Sequence, residues 1–73
     1  MFDKARAFNA ARPELVAEFN ELTAYLCFDF ATNELVPEQV AKWQTRHDEP
    51  ADGMVTADTI AAAKARRLNG ATP

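Results

Sequence analysis

Two prolines, Pro13 and Pro37, each followed at once by a glutamate, constrain this chain more than any other feature. Proline lacks a backbone N–H and holds φ near −65°, so a helix tolerates it in the first turn and is broken by it further in. Glu14 and Glu38 would then lie at the positive end of each helix dipole. The residue before a proline is pushed out of the α region. Arg12-Pro13 therefore closes one helix and opens the next.

Four helical segments follow from this punctuation. The first covers about Asp3 to Ala11, with Phe2, Ala5 and Phe8 spaced for one apolar side. The second runs from Pro13 to about Leu26, where Leu15, Phe19, Leu22 and Leu26 form a helical stripe. "CFDFATNE" breaks the pattern and reads as a loop, with the turn-prone Thr32-Asn33 in it. The third starts at Pro37, carries Val40, Trp43 and His47 on one side, and stops in "DEPADG". There Gly53 can take a positive φ at little cost. Met54-Val55 is a short extended link. Thr56 then caps a fourth helix from Ala57 to about Leu68, with Asp58 and Thr59 able to hold free N–H groups. Asn69-Gly70 is the expected stop, and residues 71 to 73 a frayed tail. No alternation longer than a few residues suggests a strand, so the expected class is all-α.

Size limits what such a chain can do. Its 73 residues make one small domain, residues 1 to 70, with a core of about a dozen side chains. The apolar share of 48% is enough for a folded domain, although much of it is alanine, which favours helix more than it fills volume. A net charge of −3 repels phosphate backbones, which argues against nucleic acid as a partner. The small cluster Lys64, Arg66 and Arg67 suits a helix C-terminus. "MFDKARAFNAARPE" carries charges where a signal peptide needs an apolar run, so synthesis in the cytoplasm without a cleaved signal is expected. No stretch approaches the roughly 20 apolar residues needed to span a membrane.

Residues that could carry chemistry are few. His47, Asp48, Glu49 and Asp52 offer metal-ligating atoms, but they lack the alternating oxygen ligands and distal Glu of a calcium loop. Zinc would want several His or Cys, and the chain has one of each. The same acids are explained by a helix end and a turn, so no metal and no cofactor is expected. A nucleophile–base pair could be built only from Cys27 and His47, and the chain has little room for a substrate cleft. The expectation is that it is not an enzyme. Cys27, as a lone cysteine, is either a buried thiol or an intermolecular one. Trp43 reads as a core anchor. Phe28 and Phe30 stay open between burial and a hydrophobic contact with a partner.

The run from Val40 to Ala63 also has a family look. Val40, Trp43-Gln44, Asp52-Gly53-Met54-Val55 and Thr59 resemble, at the same spacing, the second half of the peptidoglycan-binding domain-like family, whose pattern reads approximately A-V-x-x-F-Q-x-x-x-G-L-x-x-D-G-x-V-G-x-x-T. Thr56 and Ala57 stand where the family usually has Gly and Pro, and Asp48-Glu49 where it has Gly-Leu. The first half of the pattern is degenerate, keeping Asp29 but not the glycine after it. The resemblance implies a small orthogonal three-helix bundle over residues 13 to 68, with a short additional N-terminal helix in residues 1 to 12. It also implies a non-catalytic binding module. Two functions compete: a structural or protein-interaction part, such as a bacteriophage virion component or assembly adaptor, and a peptidoglycan-binding module acting with a separate hydrolase. The first is the favoured expectation.

Overall fold

A computed structural model describes residues 2 to 71, with the side chains of 67 to 71 excepted. Its order is α1 (Asp3–Ala10), α2 (Pro13–Thr23), β1 (Phe28–Asp29), β2 (Glu34–Leu35), α3 (Pro37–Arg46) and α4 (Ala57–Ala71). The fold is mostly helical, and both prolines open helices. The first helix ends just before Ala11, and Arg12 takes the non-helical backbone that a following proline demands.

Three features depart from the sequence expectations. Helix α2 stops at Thr23 and not at Leu26, because Ala24 and Tyr25 both take left-handed backbone, φ 55° and 62°. The Tyr25 N–H then donates to Asn20 O at 2.8 Å, closing the helix with a Schellman-type bond. Leu26 is thereby carried out of the apolar stripe and lies 60% exposed. Secondly, "CFDFATNE" is not only a loop. Phe28 pairs with Leu35 and Asp29 with Glu34 in a short antiparallel hairpin. Asn33 at φ 59° and the Ala31 N–H donating to Asp29 Oδ1 at 2.9 Å shape its turn. Thirdly, α4 passes through Asn69-Gly70 and continues to Ala71, so the expected stop does not act. The rest of the expected tail, residues 72 and 73, lies outside the described residues, as does the Arg67 side chain.

The core gathers Phe19, Cys27, Leu35, Val40, Trp43, Val55, Ile60 and Ala63, with Leu15, Val16 and Leu22 packed against it from α2. Phe19 and Trp43 meet edge to face with ring centroids 5.2 Å apart, a favourable aromatic geometry. Helix α2 packs chiefly on α4, and Lys64 Nζ lies 3.1 Å from Glu18 Oε2 between them. Helix α1 is held by two buried positions, Ala5 and Asn9.

Candidate functional site: an aromatic hairpin beside a closed polar loop

The sequence offered two places to look, the run from Val40 to Ala63 and the Phe28/Phe30 pair. They turn out to be opposites. In the first, Gln44 is buried on α3 and its amide is fully occupied. Its Oε1 accepts the Gly53 N–H at 2.9 Å, and its Nε2 donates to Met54 O at 3.0 Å, Asp52 Oδ1 at 3.1 Å and, more weakly, Thr59 Oγ1 at 3.4 Å. Asp52 Oδ1 also accepts the Met54 N–H at 2.9 Å, closing an Asx turn. Thr59 Oγ1 donates to Met54 O at 3.1 Å. Thr56 caps α4 as expected: its Oγ1 accepts the Thr59 N–H, and Thr59 Oγ1 accepts the Thr56 N–H, both at 3.2 Å. Val40, Trp43 and Val55 lie beneath this network, fully or nearly fully buried.

These motif residues thus spend their polar atoms on one another. A buried backbone group without a partner is costly, and a loop crossing the core end of the bundle would have several. Gln44 supplies both a donor and an acceptor to these groups from α3. The loop is held as a structural clasp.

The remaining candidates for chemistry are dispersed or committed. His47 stacks on Trp43, with centroids 4.1 Å apart, and its Nδ1–H donates to Trp43 O at 2.7 Å. Asp48 turns the end of α3 at φ 59°. Cys27 is buried and is a free thiol. Burial pushes its pKa up to about 11 against a smaller opposing pull from Arg46, which disfavours the reactive thiolate. Among the described residues, no three His, Cys, Asp or Glu side chains come together as a metal site.

The hairpin is different. Backbone alternation puts Phe28 and Phe30 on one face of β1 and its continuation, and Tyr25 joins them from the left-handed turn before it. The three rings form a closed triangle: Phe28–Phe30 at 4.8 Å, Tyr25–Phe28 at 5.6 Å and Tyr25–Phe30 at 5.7 Å between centroids. Phe28 is half-buried and roots the cluster. Phe30 is 72% exposed, Leu26 60% and Tyr25 39%. An open groove alongside is lined by Leu26, Phe28, Phe30, Val36 and Gln39, with Cys27 and Asp29 completing it. The two phenylalanines singled out in the sequence therefore part company in burial. Tyr25 and Leu26 were missed, because a helical stripe extrapolated through Leu26 hides them.

No family model, no curated protein and no solved structure matches the chain. No helix among the described residues is long and apolar enough to cross a membrane.

Proposed function

We propose that this chain is a non-catalytic binding and structural module that contacts a protein partner through the Tyr25–Leu26–Phe28–Phe30 surface. Its scaffold would be a peptidoglycan-binding-like bundle extended by α1. The observation that carries the reading is the exposure of Phe30 and Leu26 within a pre-assembled ring cluster. Large apolar side chains grouped on a surface and held by rings beneath them are the usual anchor of a protein contact. Three aromatic rings also lose little conformational entropy on binding, since they are already packed together.

The scaffold part of the proposal draws on how the motif residues are used. Gln44, Asp52, Gly53 and Thr59 hold one loop, so their spacing has a mechanical reason. Asp48, standing where the family pattern has glycine, takes a φ of 59° that glycine adopts freely. A part in a larger assembly, such as a virion or an assembly adaptor, is the setting this reading favours.

The competing reading is that exposed rings stack on cell-wall sugars. Co-sedimentation with purified insoluble peptidoglycan decides between them. We expect the protein to stay in the supernatant at low salt. Co-pelleting that Phe30→Ser abolishes would overturn the protein-partner reading in favour of wall binding.

A further inference from the structure

Charge is distributed very unevenly along this chain, and the aromatic cluster lies at the acidic extreme. Residues 13 to 41 contain six carboxylates, Glu14, Glu18, Glu21, Asp29, Glu34 and Glu38, and no Lys, Arg or His. All 8 Lys and Arg residues lie outside that segment. Among the described residues, the fold brings Lys64 to Glu18 at 3.1 Å and Arg6 to Glu34 at 3.6 Å, and sets Arg46 near enough to Cys27 to act on its thiol. The Arg6–Glu34 pair is solvent-exposed on both sides, where such contacts are weak. Among the described residues, the large apolar side chains with marked exposure, Tyr25, Leu26 and Phe30, all belong to this same segment.

The hairpin adds a local reason. Asp29 and Glu34 are direct partners in the β1–β2 ladder. Side chains directly opposite in an antiparallel pair lie about 5 Å apart, and like charges there are destabilising. Asp29 also lines the groove beside Phe28 and Phe30. A cation brought to Asp29 would relieve that repulsion next to the apolar anchor. A second copy of the chain would instead bring another acidic segment against the first.

Building on the protein-partner reading above, we infer that the surface takes a cationic, apolar-anchored peptide segment: a bulky apolar side chain seated against Phe30 and Leu26, with Lys or Arg beside it facing Asp29 and the neighbouring carboxylates. Apolar burial supplies the affinity. Charge complementarity selects the partner and speeds the encounter, and salt weakens it.

Three synthetic peptides of equal length test this: one alternating Leu and Lys, one Leu and Glu, and one Ser and Lys. Each is titrated into isotopically labelled protein and followed by amide chemical shifts. The Leu–Lys peptide should bind, with shifts concentrated at residues 25 to 30 and 34 to 39, and high salt should weaken it. Phe30→Ser and, independently, Leu26→Ser should each weaken it about tenfold or more, as loss of a contact anchor does. Asp29→Asn, which keeps an oxygen to accept the Ala31 N–H while removing the charge, should weaken it less and flatten the salt dependence. The Leu–Glu and Ser–Lys peptides should not bind.

Equal binding of the Leu–Glu peptide at the same residues would overturn the cationic inference and leave the protein-contact reading standing. Leu–Lys binding indifferent to both Phe30→Ser and Leu26→Ser, or no binding of any peptide, would overturn the inference. A Phe30-dependent dimer in sedimentation velocity would replace the occupant with a second copy. Failure of both Leu peptides together with peptidoglycan co-pelleting would remove the underlying reading as well.

Discussion

The backbone N–H of Val55 donates to Asn9 Oδ1 at 2.8 Å, joining α1 to the loop before α4 across 46 positions of the chain. The same side chain donates from Nδ2 to Gly53 O at 3.0 Å. Asn9 therefore serves the loop from one side as Gln44 does from the other, and α1 is a working part of the fold.

Asn9→Ala should accordingly destabilise the protein by about 1–3 kcal/mol, because it leaves the Val55 N–H and the Gly53 carbonyl buried without a partner. A urea denaturation series would register this as a lower midpoint at unchanged slope. An unchanged midpoint would mean that water replaces the amide without loss.

Gly53 has φ 76°, and a Cβ built there would meet Pro37 O at 2.9 Å and Phe2 Cδ1 at 3.0 Å. Both the left-handed backbone and the close approach to backbone oxygen oppose a side chain. Gly53→Ala should cost about 1–3 kcal/mol from the backbone conformation alone, with the contact adding to it. Thermal melts of the variant provide the check; a neutral effect would show that the turn relaxes freely.

Trp43 is 4% exposed, edge-on to Phe19 and stacked with His47. Trp43→Ala should destabilise by about 3–5 kcal/mol, the range for emptying a large core site. If chemical denaturation shows a loss of under about 1 kcal/mol, the value of a typical surface change, the ring is not the anchor of the core.

Cys27 should resist alkylation in the native state. Its pKa is raised by burial from 9.0 to about 11, so the unfolded chain gives up the proton first. The stability this contributes is fully present below about pH 9 and is lost as pH rises toward about 11. Iodoacetamide labelling at neutral pH should be slow until denaturant is added. A Cys27→Ala variant should show a shallower fall in stability across that alkaline window. Rapid native labelling at pH 7 would contradict the buried placement.

What could be read along the chain was local. Both helix starts were legible because proline and the glutamate after it act within one turn. The Thr56 cap and the Asp52-Gly53 turn were legible for the same reason, since their partners lie two or three residues away. The mostly helical character followed from these. The end of α2 was not legible, as nothing in "TAYL" marks two successive left-handed residues; they carry no glycine or asparagine to announce them. The hairpin was missed because strands of two residues leave only the three-residue alternation Phe28-Asp29-Phe30, too short to mark a strand.

By itself, then, the sequence determined where helices begin, which turn follows α3 and how α4 is capped, since each depends on groups within a few bonds of one another. Tertiary structure decided the rest. It placed Asn9 against Gly53 and Val55, sent Phe19 and Trp43 inward together, and turned Leu26 and Phe30 out beside Tyr25. Those outcomes depend on which distant surfaces meet, and an apolar side chain has the same local signature whether it ends in the core or on the surface.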